Sequence, residues 1–74
     1  MNVEHLIQMA NQIGAFFEAM PNRPEALEGI AMHIKKFWEP RMRRELLMHL
    51  DSTGNAGLTA VVAEALTKHR MIWG

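Results

Sequence analysis

Three prolines and one glycine-containing loop cut an otherwise helix-periodic chain of 74 residues into four segments. Pro21 and Pro24 fall close together, Pro40 stands alone, and Ser52-Thr53-Gly54-Asn55-Ala56-Gly57 completes the set. Proline lacks an amide N–H and crowds the preceding turn, so it belongs at the start of a helix and not in its interior. No segment alternates with the period of a strand, and no internal repeat or low-complexity tract interrupts the pattern. The expected fold is all-α. Residues 1–74 form a single domain, a compact bundle of four short helices with short connections and a proline bend between the second and third.

The first helix is predicted from Asn2, a good N-cap, to about Met20. Val3, Leu6, Ala10, Ile13, Phe17 and Met20 share one stripe, which Ile7, Met9 and Phe16 widen to about half the circumference. Gly14 lies mid-helix at a cost of about 1 kcal/mol relative to alanine, and a closely packed neighbouring helix is the expected reason. The second helix, about Pro24 to Trp38, carries Leu27, Ile30, Ala31, Ile34, Phe37 and Trp38 on its apolar face, with Met32 stranded on the polar side. Pro40 disfavours helical geometry at Glu39, so the chain bends and Glu39 caps a third helix, about Pro40 to Asp51. Met42, Leu46, Leu47 and Leu50 share a face there, and Arg43 projects inside that apolar arc. Arg41, Arg44 and Met48 lie opposite. Gly54 suits a helix terminator. Thr59 is expected to cap a fourth helix reaching about Ile72, with Val61, Val62, Ala65, Leu66, Ile72 and Trp73 inward and His69 among them as a core histidine bonded to a carbonyl.

With no cysteine, this small chain has no disulfide to brace it, which leaves an efficient helical core or a partner's surface. Homo-oligomerisation of the isolated chain is compatible with that argument. The hydrophobic fraction of 49% is too high for intrinsic disorder. A formal net charge of zero speaks against nucleic-acid or membrane-surface binding through bulk charge. No apolar run approaches the roughly eighteen residues that span a bilayer, and the start of the chain lacks the basic region of a secretory signal. A cytoplasmic protein is expected.

Chemistry is hard to place. His5, His33, His49 and His69 fall one to a helix, no pair has the i, i+3 or i, i+4 spacing of a helical metal motif, and His-Glu-x-x-His is absent. Neither Ser52 nor any threonine or lysine sits in an activating context, and no glycine-rich phosphate loop occurs. No catalytic, metal or cofactor residue is therefore expected. What stands out is Phe37-Trp38-Glu39-Pro40-Arg41-Met42-Arg43-Arg44, where aromatic bulk and dense positive charge meet. Three arginines in the first turns of a helix oppose its dipole, so local stability is not what placed them. Arg43 among leucines wants a carboxylate or a set of carbonyls, internal or a partner's. The basic window Lys35 to Arg44 admits two readings beyond a solvated face. One is nucleic acid, because two helices joined by a bend echo a helix-turn-helix; the other is protein docking, because arginine and tryptophan dominate interface hot spots.

Met9-Ala10-Asn11-Gln12-Ile13-Gly14 with Phe16-Phe17, followed by Ile30-x-x-His33-Ile34-Lys35-x-Phe37-Trp38-x-Pro40-Arg41-Met42-Arg43, resembles the delta subunit of NAD-dependent formate dehydrogenases, from Val3 to about Arg70. The resemblance implies a small non-catalytic subunit of a cytoplasmic complex. In that family other subunits carry the molybdenum or tungsten pterin cofactor, iron–sulfur clusters, flavin and NAD. It further implies docking on the large catalytic (alpha) subunit in support of assembly, cofactor insertion or stability. Trp38 and Pro40 would shape the corner, with Arg41, Met42, Arg43 and Arg44 at the contact. Asn11 and Gln12, outside the core stripe, complete the expected partner-binding set, since mid-helix asparagine is unfavourable unless a polar partner uses it.

Overall fold

A computed structural model describes residues 2–54 and 57–73, with side chains up to Met71. Helices α1 (Val3–Glu18), α2 (Arg23–Phe37), α3 (Pro40–Thr53) and α4 (Ala60–Lys68) form the all-α bundle, and a single further turn, α5 (Arg70–Trp73), follows. Each boundary has a local cause. The Asn2 side chain accepts from the Glu4 N–H at 2.8 Å and starts α1. Asn22, which the sequence suggested only as punctuation, accepts from the Glu25 N–H at 3.0 Å and caps α2. Glu39 is extended before Pro40, as a residue preceding proline prefers. It holds the N-cap position of α3 without a side-chain capping bond. Helix α3 runs to Thr53, two residues past the expected Asp51, with the Thr53 hydroxyl donating to the His49 carbonyl at 2.8 Å. Gly54 ends it at φ 71°, a conformation that favours glycine. Of the expected loop, Asn55 and Ala56 lie outside the described residues.

The core is wholly apolar: among the described residues no polar or charged side chain is buried. Leu6 and Ala10 of α1, Leu27, Ile30 and Ile34 of α2, Leu46 of α3, and Val61, Val62, Ala65 and Leu66 of α4 meet there with Trp38 and Leu58. The radius of gyration is 11.0 Å, against about 11 Å for a compact chain of this length. The accessible surface of 4645 Å² likewise matches the roughly 4,650 Å² of a self-contained monomer at 8.5 kDa. The chain closes a core from its own residues.

Gly14 explains how closely it closes. A Cβ there would sit 2.5 Å from Val62 Cγ2 and 3.2 Å from Val61 Cγ1, so the backbone of α1 rests directly on α4. Two expectations fail at the periphery. Phe16 and Phe37, placed on apolar faces, are exposed, because the apolar arcs are wider than the neighbouring helices cover. Met20 is exposed because α1 ends at Glu18, short of the expected Met20. The fourth helix does not run to Ile72. His69 leaves helical geometry at φ −111°, ψ 25°, and is half-buried at the break between α4 and α5, not a core residue. The side chains expected inward at Ile72 and Trp73 lie outside the description.

Two ion pairs strap the bundle from outside. Arg70 grips Asp51 through both carboxylate oxygens at 2.7 and 2.6 Å, tying α5 to α3. Arg23 reaches Glu64 at 2.6 Å, tying α2 to α4. Hydrogen bonds from these arginines hold the Asp51 and Glu64 carboxyls below their ordinary values. A lowered folded-state pKa contributes stability above the unfolded value and loses it as pH falls through the folded one. Arg23→Ala, Arg70→Ala is therefore expected to lower the urea midpoint at pH 7, with the gap from wild type narrowing below about pH 4. A constant gap would show that the pairs carry no linked stability.

A second expectation concerns packing. In Gly14→Ala the methyl meets the fully buried Val62, and overpacking of about 1–3 kcal/mol outweighs the roughly 1 kcal/mol of helix propensity gained. At Gly29 the added methyl would meet the Phe17 ring edge at 2.6 Å, but that ring lies at the half-buried margin, where a shift costs less than moving the fully buried Val62. Urea midpoints should show a larger loss for Gly14→Ala than for Gly29→Ala.

Candidate functional site

The residues expected at a partner contact divide sharply by where the fold places them. Trp38 is 5% exposed and part of the core. Arg43 is half-buried, and its guanidinium donates to the carbonyls of Lys35 at 2.8 Å and Trp38 at 3.1 Å. Those carbonyls belong to the last turn and cap of α2, where the helix leaves acceptors unpaired and the dipole favours a cation. An arginine unfavourable at the start of α3 is thus favourable at the end of α2, and the proline bend brings those two ends together. The required set of carbonyls is internal.

Asn11 is also used within the chain. Its Nδ2 donates to the Gly57 carbonyl at 2.9 Å, and its Oδ1 accepts from the Thr59 N–H at 3.0 Å. Thr59 holds the N-cap position of α4 without a side-chain cap, and its own amide, just ahead of the helix, is met from α1. Asn11 therefore clamps the loop that leads into α4.

Pro40, Arg41 and Arg44 are exposed. Among the described residues, neither of these two arginines has a hydrogen bond or ion pair, whereas Arg23, Arg43 and Arg70 all do. Gln12 and Met42 lie together elsewhere. With Met9, Ile13, Phe16, Phe17, His33, Phe37 and Trp38 they line an open trough of about 570 Å³ between α1, α2 and the start of α3. Phe16 meets Phe17 edge-on at 5.2 Å between ring centroids, Phe17 lies 6.2 Å from His33, and His33 stacks obliquely on Phe37 at 4.7 Å. Phe16 and Phe37 are 75% and 72% exposed. The helical period puts Phe16, Phe17 and Phe37 on apolar faces, and hence toward the core. The signal that could have found the trough was the excess width of the α1 stripe, with paired Phe16 and Phe17 at its edge.

Among the described residues no three His, Cys, Asp or Glu side chains are placed to hold a metal ion. No helix is long and apolar enough to cross a membrane. The molecule is a small all-α module with arginines that are unpaired among the described residues at the α2–α3 corner and an aromatic trough whose end that corner shapes. The family model of the NADH-dependent formate dehydrogenase delta subunit, FdsD, matches residues 5–66, and the chain belongs to that family. No curated protein and no solved structure matches significantly.

The clamp yields an expectation of its own. Asn11→Ala removes one donor and one acceptor bond and should lower stability by about 1–2 kcal/mol in urea unfolding. Asn11→Asp keeps the bond to the Thr59 amide but not the donation to Gly57, and should fall between. Equal stability of all three would mean that the loop is held by other contacts.

Proposed function

We propose that this chain is a non-catalytic accessory subunit of a cytoplasmic formate dehydrogenase complex. It docks on the large catalytic subunit and supports that subunit's assembly, cofactor insertion or stability. Membership of the delta-subunit family gives the complex; the observation that carries the docking role is the division among the arginines. Arg43 fixes the α2–α3 corner from inside, and Arg41 and Arg44 are presented from it without an intrachain partner among the described residues. Unpaired guanidinium groups on a rigid frame suit carboxylates or carbonyls of another protein at little entropic cost.

In this reading the redox groups belong to other subunits. A chain without cysteine has no thiolates for iron–sulfur clusters, and formate oxidation, with its pterin-bound molybdenum or tungsten, flavin and NAD, takes place elsewhere. Nucleic acid is the weaker reading. The net charge is zero, and one of the five cations in the basic window is turned inward on carbonyls.

Arg41→Glu, Arg44→Glu, co-expressed with the other subunits, is expected to reduce co-elution with the catalytic subunit at least about tenfold, equivalent to roughly 1.4 kcal/mol. Formate-oxidising activity of the purified complex should fall with it. Undiminished co-elution and activity would remove the claim.

A further inference from the structure

The trough calls for an occupant of its own. Its rim phenylalanines are largely in water, whereas small-molecule sites enclose most of their ligand, so a macromolecular surface fits this opening better. The four residues 19–22 lead the chain from α1 into α2, and Phe17, one residue from the end of α1, lies against Gly29 and His33. Phe16 and Phe17 therefore mark one end of the trough, and Trp38 with Met42 the other.

Length and charge then narrow the partner. From Met9 to Phe17 the α1 wall rises about 12 Å. A helix presenting apolar side chains at i, i+3 or i+4, and i+7 spans about 10 Å, so roughly two turns fill the trough. The two ends differ in sign. At the Trp38 end, Lys36 adjoins Phe37 and Arg41 adjoins Met42 in sequence, both exposed and, among the described residues, unpaired. Together they outweigh the single exposed Glu39 between them. At the other end Glu18 follows Phe17 at the carboxyl terminus of α1, where the dipole is negative. A helix that carries acidic side chains at one end satisfies the basic side of the trough and orients itself by the difference.

We propose that the trough receives an amphipathic helix of the docking partner, about two turns long, with apolar anchors facing Phe17, His33 and Met42 and acidic side chains at the end beside Arg41. The inference rests on the docking function proposed above and adds the shape and chemistry of what docks. Met9 and Met42 suit such a contact, because unbranched thioethers adapt to the side chains laid against them.

Phe16→Glu, Phe37→Glu in the full chain tests it. Both rings are exposed, so the helical circular dichroism and melting temperature should be unchanged; Phe16→Ser, Phe37→Ser serves if the charged pair disturbs folding. Co-elution with the rest of the complex should fall at least tenfold, equivalent to roughly 1.4 kcal/mol. A photo-crosslinking phenylalanine analogue at position 37 should join one helical peptide of the partner bearing acidic side chains within a turn of the adduct. Full co-elution of the trough variant, beside loss in Arg41→Glu, Arg44→Glu, would overturn the trough and leave the docking corner standing. Full co-elution of both variants would remove the docking function itself. Crosslinks confined to a second copy, or to an extended or non-acidic segment, would also overturn the proposal.

Discussion

The contact between the first helix and the fourth is the constraint on which the rest depends. Gly14 lets Val61 and Val62 press against the α1 backbone. Three residues earlier on α1, Asn11 holds the backbone just ahead of α4 through Gly57 and Thr59. One device sets the distance and the other sets the position along the axis. The leucine and isoleucine side chains of the core then fill a space already defined. This matters in a core with no buried polar group, because apolar packing is non-directional and tolerates slippage unless something polar fixes the alignment.

The corner between α2 and α3 follows the same logic. Pro40 forces the turn, Trp38 buries its ring beneath it, and Arg43 ties the end of one helix to the start of the next. With the corner fixed, Met42 forms an end wall of the trough and Arg41 and Arg44 face solvent. Aromatic exposure and unpaired charge are thus consequences of the frame. A segment that looks in sequence like one undivided basic-aromatic motif separates in space into framework and presented surface.

Much of the fold was legible because its causes are local. Prolines, the Asn2 cap, Gly54 and the 3.6-residue period placed four helices, and the misplaced charge of Arg43 among leucines announced a need for a carboxylate or carbonyls. Other features depend on contacts remote in sequence. Asn11 reaches partners 46 and 48 residues away, so its polar need was readable and its target was not. A helical wheel shows how wide an apolar arc is, but not how much of it neighbours will cover; hence Phe16 and Phe37 were assigned inward. The break at His69 has no proline or glycine to mark it, and the periodicity of Val61 to Leu66 ran past it. Family membership was carried by residue identities around the corner, which periodicity alone could not supply.

The two exposed phenylalanines also have a cost for the cell. Rings held open to water are a solubility liability wherever they meet others of their kind. A copy released without its counterpart presents adhesive surface to every neighbour, although its own interior is complete. With the trough covered as proposed, supply of this chain has to keep pace with the partner that covers it.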